Sequence, residues 1–183
     1  ISLHAPNVLD DSLLKVVDIF QLNGAALSAP TVARLTAAGK EVWSYGTAGG
    51  KAASPQYYRR QAWEAVSLGL NGFGFWSYSD AGSRGTAWDD LDGLRPDFAV
   101  IYDDPTRIIS SKRWEAWREG WQDFMLLTEA RRVATTDAER ALVEAAISDG
   151  LTSMDDLKRF ADVRRKLFDF LDGKSGSGTG GLR

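Results

Sequence analysis

The sequence predicts an α/β fold: the C-terminal half of a (β/α)₈ TIM-type barrel, followed by an α-helical extension. Three observations lead there. Strand-like and helix-like segments alternate over the first 80 residues, which is the pattern of βαβ units and so of a parallel sheet covered by helices. The run Gly72–Ser79 places Gly72, Gly74, Trp76 and Tyr78 on one side and Phe73 and Phe75 on the other. With the first set facing a barrel interior, small residues lie low and large ones crown the C-terminal mouth, where barrels build their sites. Only four strand candidates precede residue 80, which is half of an eightfold repeat. The competing doubly wound open sheet loses support, because no G-x-G-x-x-G follows a strand and opens a helix.

The elements follow in order. Ile1–His4 is a short apolar opening. Val16–Leu22, VVDIFQL, is β-branched and reads as a strand with one enclosed acid, Asp18. Ser28 can cap a helix that runs to about Ala38, where Gly39 stops it. Glu41–Gly46 is the next strand. Ser54 and Pro55 give a hydroxyl N-cap followed by proline at the first helical position. The helix they open carries Tyr58, Ala62, Trp63, Val66 and Leu70 on one face. Asn71–Gly72 ends it.

After Ser79 the pattern changes. Asp80–Asp97 reads as a loop rich in Gly and Asp. Its WDDLDG segment departs from a calcium loop, with Trp88 in place of the first Asp and Ala99 in place of the closing Glu. Phe98–Tyr102 is a short strand. A long helix then spans about Ser111 to Ala134, with Trp114, Trp117, Trp121 and Phe124 in one apolar stripe that reads as packing. Thr136 with Glu139, and Ser153 with Asp156, read as capping boxes opening two more helices. The expected division is a barrel portion over 1–110, a closing helix and helical extension over 111–172, and a flexible tail over 173–183.

Composition narrows the function. The chain has 183 residues, 44% hydrophobic and 26% charged, with a net charge of −3. That is ordinary for a globular chain and lacks the basic stripe of a nucleic-acid binder. No apolar run approaches the ~18 residues of a membrane span. Without cysteine there is no disulfide framework and no thiolate zinc site. His4 is the single histidine and makes neither a metal site nor a triad. No metal or other cofactor is expected. The chain reads as an excerpt of a longer protein.

The candidate site is a sugar pocket at the C-terminal ends of the strands. Aromatic faces cover the C–H surface of a pyranose, and polar groups bind its hydroxyls. Tyr45, Trp76 and Tyr78 supply the rings. Asp80, one residue past the strand, can accept a sugar hydroxyl. Asp18, read as a barrel-interior acid, either binds substrate or pairs with a cation, since its burial demands a partner in both cases. For each ring the alternative is plain core packing. Arg113, Glu115, Arg118 and Asp123 read as a structural ion-pair network on the closing helix.

Taken together, these segments resemble a known family. The order is a helix with Arg59, Arg60 and Trp63, then G-x-G-F-x-x-W-S-Y, an acidic loop, a strand ending Y-D-D-P, and a closing helix. That helix matches S-x-R-x-E-x-x-R-x-G-x-x-D-x-x-x-L through Ser111, Arg113, Glu115, Arg118, Gly120, Asp123 and Leu127. Upstream, VVDIFQL is similar to a V-D-I-W strand, with Phe20 in place of Trp, and GKEVWSYG to a G-K-E-x-W-x-Y strand. Over about residues 16 to 130 the chain resembles the C-terminal part of the catalytic domain of family 123 glycoside hydrolases and related uncharacterised proteins.

The resemblance implies a (β/α)₈ barrel and retaining exo-hydrolysis of β-linked N-acetylhexosamines. It implies a substrate-assisted mechanism in which the sugar's acetamido oxygen attacks the anomeric carbon, an exception to the two-carboxylate scheme. The family's catalytic Asp-Glu pair has no counterpart here. Asp10–Asp11, Asp89–Asp90, Asp103–Asp104 and Asp155–Asp156 are adjacent acids, but none ends a candidate barrel strand. The pair is expected before Ile1. The partners expected are a carbohydrate ligand and the N-terminal half of the barrel, or another protein chain. The alternative is a non-catalytic glycan-binding or structural cell-surface module that keeps the barrel.

Overall fold

The strand that the sequence places at Val16–Leu22 begins as a helix. Asp10 caps it: one carboxylate oxygen accepts from the backbone N–H of Ser12 at 2.8 Å and of Leu13 at 3.1 Å. The helix, α1, covers Asp11–Val16. The local cap thus draws the β-branched Val16 into the helix, while Val17 is already extended. Asp18 falls in the bend before the strand and not inside it, so its side chain is 95% exposed. The computed structural model describes residues 1–3, 5, 9–47, 53–80, 86–89, 98–104 and 106–177. His4 and most of the WDDLDG segment lie outside the described residues.

Four strands form one sheet in chain order: β1 (Ser2–Leu3), β2 (Ile19–Leu22), β3 (Glu41–Thr47) and β4 (Gly72–Trp76). Every pair is parallel, as the alternation of elements predicts. Helix α2 (Ala29–Ala37) joins β2 to β3, and α3 (Pro55–Ser67) joins β3 to β4. Gly69, at φ +71, terminates α3 ahead of the expected Asn71–Gly72 stop. It takes the left-handed conformation that glycine adopts without a Cβ penalty. Strand β4 ends at Trp76, earlier than the expected Ser79.

Register assigns the two faces, since residues paired in a parallel ladder share a side. Leu3, Phe20, Leu22, Val42 and Phe73 point to one face and are buried. There they meet α3 residues Tyr58, Ala62, Trp63 and Val66, all buried as the helical period predicts. The other face carries Ser2, Ile19, Gln21, Trp43, Tyr45 and Trp76. These are exposed or half-buried, and no described helix covers them.

Beyond β4, Tyr78 and Asp80 accept backbone hydrogen bonds from Val100 and Phe98 at 3.1 and 3.0 Å. A small antiparallel pair follows, β5 (Ile101–Asp103) with β6 (Ile108–Ser110). Helix α4 (Lys112–Val133) then returns across the sheet. Its tryptophan stripe packs on β4: Trp117, Trp121 and Phe124 surround Phe73 at ring-centroid distances of 4.5, 4.8 and 5.4 Å. Gly120 of α4 faces Arg59 and Ala62 of α3, where a Cβ would lie in van der Waals contact, 3.4 Å from the Arg59 Cα.

Helix α5 (Asp137–Ser153) opens on the expected Thr136–Glu139 capping box. The second expected box is absent. Ser153 ends α5, its hydroxyl donating to the Asp149 carbonyl at 2.6 Å, and Asp156 receives the Arg159 N–H at the start of α6 (Leu157–Ser177). The helix therefore continues past residue 172, where the tail was expected to begin.

Candidate functional site

The open face and its C-terminal rim bring together part of the expected pocket. Tyr45 pairs in register with Gly74, and Thr47 with Trp76, so Tyr45 and Trp76 are diagonal neighbours on that face. Trp76 is 48% exposed. Its indole N–H donates to Asp80 Oδ2 at 2.8 Å, which holds the ring at the rim. One oxygen of Asp80 therefore accepts from Trp76, where the sequence leads one to expect a sugar hydroxyl. The peptide between Trp76 and Ser77 is cis.

Two expected residues are placed elsewhere. Tyr78 meets Trp114 of α4 edge-on at 5.1 Å, so it joins the helix layer although 43% of its surface stays exposed. The strict alternation that grouped it with Trp76 ends with the strand. Asp18 lies at the opposite end of the sheet, its carbonyl accepting from the Glu41 N–H at 3.0 Å and its carboxylate 3.7 Å from Lys40. Its expected part in the pocket is corrected: it is a solvated acid at the N-terminal edge of β2, too far along the strand to join the rim.

Gln21 belongs to this face and escaped the sequence reading. Its Oε1 accepts the Ser2 hydroxyl at 2.9 Å. Its Nε2 reaches across to Gly74 and would stand 3.2 Å from a Cβ at that position. Trp43 lies flat over Gly72, where a Cβ would come within 2.7 Å of the ring. The glycines of β4 are thus the floor on which a carboxamide and an indole rest. The signal was available: in IFQL, Gln21 alternates with the buried Phe20 and Leu22.

The closing helix is tied to the rim by Ser111. Its hydroxyl donates to the Val100 carbonyl and accepts from the Arg113 and Trp114 N–H groups at 3.1 and 3.2 Å. The expected four-residue ion-pair network separates into parts. Glu115 pairs with Arg118 at 2.7 Å and accepts from Ser110, and these hydrogen bonds hold its carboxyl below the usual range. Asp123 is fully buried and binds Arg59 and Arg164 instead. Arg113 is buried beside Tyr58 and forms no ion pair among the described residues. Burial raises the Tyr58 phenol, and the Arg113 charge opposes that rise.

Among the described residues, no group of three His, Cys, Asp or Glu could hold a metal, and no helix is long and apolar enough to cross a membrane. The arrangement offers ring faces, a carboxamide and an indole-bound carboxylate to a ligand. No protein-family model matches the chain, and no curated protein matches it.

Proposed function

We propose that this chain is part of a retaining, substrate-assisted glycoside hydrolase acting on β-linked N-acetylhexosamines. It supplies the aromatic side of the sugar pocket, and the catalytic Asp-Glu pair comes from a segment outside this sequence. The observation that carries the reading is the uncovered sheet face. Parallel sheets are buried on both faces, yet among the described residues this one has helices on one side only. Its other side bears Trp43, Tyr45, Trp76 and Gln21. A half barrel awaiting its other four strands accounts for that asymmetry, because the open face becomes the barrel interior.

In this reading Trp76 stacks on the pyranose, and Asp80 fixes the indole plane. The substrate's acetamido oxygen attacks the anomeric carbon as the aglycone leaves with a proton from the missing acid. Water then opens the cyclic intermediate with net retention. The test is calorimetric titration of N-acetylhexosamines against the complete protein. Trp76→Ala should weaken binding by about 1–3 kcal/mol through lost apolar burial. Equal affinity in the two proteins removes Trp76 from the site.

A second reading has one observation in its favour. The adjacent acids within the described residues serve structure: Asp10 caps α1, and Asp156 receives the first turn of α6. A protein keeping the aromatic face without an acid pair would be a glycan-binding or structural cell-surface module. It would bind the sugar and leave a chromogenic β-N-acetylhexosaminide uncleaved.

A further inference from the structure

Helices α5 and α6 run antiparallel. Asp149 pairs with Arg159 near their short connection, and Glu139 pairs with Lys174 at their far ends. One side of the pair is buried against the rest of the chain, where Phe160 meets the Trp63 ring at 5.1 Å. Another side carries a groove of about 690 Å³, walled by Leu142 and Ala146 of α5 and by Val163 and Phe170 of α6. Leu142 keeps 48% of its surface exposed there. Two antiparallel helices with an open apolar seam are half of a four-helix bundle, whose core forms from side chains on facing helices.

The charges that border the groove say what fits it. They are Asp149, Lys166 and Asp169. Asp149 is already paired with Arg159. Lys166 and Asp169 are exposed and form no hydrogen bond or ion pair among the described residues. Their neighbours on α6 do: Arg164 binds Asp123, and Arg165 binds Asp162. Lys166 and Asp169 stand three residues apart on one side of the helix, about 4.5 Å along its axis. A two-fold axis sets residue i against j and j against i. An axis midway between positions 167 and 168 therefore places Lys166 opposite the partner's Asp169, and Asp169 opposite the partner's Lys166.

We propose that the chain self-associates through this groove as a two-fold dimer, with the two α5–α6 pairs closing into a four-helix bundle. Both free charges are then matched at once, and the apolar walls leave water. A wholly acidic or wholly basic segment would match one charge and be repelled by the other. The net charge of −3 per copy opposes association only weakly. The interface lies on the helical extension and is independent of the sugar pocket.

The test is sedimentation velocity of the full chain over a concentration series. The wild type should pass from monomer to dimer as concentration rises. Lys166→Asp and Asp169→Lys, both at exposed positions, should keep the wild-type helix content by circular dichroism. Each should weaken self-association at least about tenfold, because like charges then face each other across the axis. Mixed in equal amounts, the two single variants should recover the dimer, and so should the double exchange in one chain. A wild type that stays monomeric throughout the series would overturn the proposal. So would single variants that associate like the wild type, which would move the contact to the open sheet face. A mixture that fails to recover the dimer would overturn the pairing of Lys166 with Asp169.

Discussion

Trp63 Nε1 donates to Asp123 Oδ2 at 2.9 Å, and both residues are fully buried. The same oxygen accepts from Arg59 Nε at 2.7 Å, and Oδ1 accepts from Arg164 Nε at 2.8 Å. One carboxylate therefore ties together α3, α4 and α6. Arg59 also reaches Glu119 at 2.5 Å, which balances the two arginines with two acids. Two of the motif segments identified in the sequence, the Arg59–Trp63 helix and the closing helix, meet at this point.

Asp123→Asn should destabilise the chain by about 3–5 kcal/mol, because it removes the only carboxylate that Arg164 binds among the described residues and leaves Arg59 with Glu119 alone. The side chain of Arg164 is more exposed than that of Arg59, at 28% against 16%, and Arg59 makes two of the hydrogen bonds to Asp123. Arg164→Met should therefore lose less than Arg59→Met. Urea unfolding of the three variants measures this order, and an unchanged midpoint for Asp123→Asn would refute the clamp.

Gly150 and Gly173 should respond oppositely to alanine. A Cβ on Gly150 would stand 2.1 Å from the Trp63 ring, whereas one on Gly173 meets nothing within 4 Å. Helix propensity alone favours alanine at both by about 1 kcal/mol. Gly150→Ala should nevertheless lose about 1–3 kcal/mol through overpacking, and Gly173→Ala should gain. Thermal melts of the pair separate packing from propensity.

Trp117→Ala should lose about 3–5 kcal/mol by leaving a cavity between α4 and β4. The ring touches both Phe73 and Phe75 at 4.5 Å. Trp121 is 36% exposed, so Trp121→Ala should lose less. Equal losses would mean that Trp121 is covered in solution.

Acid should release one contact of the helical extension. A hydrogen bond from Lys174, then those from the Thr136 and Thr135 backbone, lower Glu139 from 4.5 to about 2. A depressed carboxylate stabilises the fold above its unfolded pKa, and that contribution disappears as pH falls through the folded value. Glu139→Gln should melt below the wild type at about pH 6, and the two curves should converge between about pH 4.5 and pH 2. A constant gap across that window would show that Glu139 acts only as a helix cap.

By itself the sequence determined what depends on neighbours within a few turns. The alternation of strand and helix yielded four parallel strands in chain order, because βαβ units leave few other connections. The helical period located the buried face of α3, and Thr136 with Glu139 marked a cap, since both effects act over three or four residues. Local signals also misled where two competed: the Asp10 cap outweighed the β-branched Val16, and Asp18 moved from strand interior to exposed bend. Tertiary structure alone decided the rest. Which residues share the buried carboxylate of Asp123 depends on Arg59, Trp63 and Arg164, 41 to 64 positions away. Tyr78 packs against Trp114 of the helix layer, and Gln21 takes a place on the open face, for the same reason. A side chain's direction past a strand end, or across two neighbouring strands, is set by packing partners remote in sequence, and no local period encodes them.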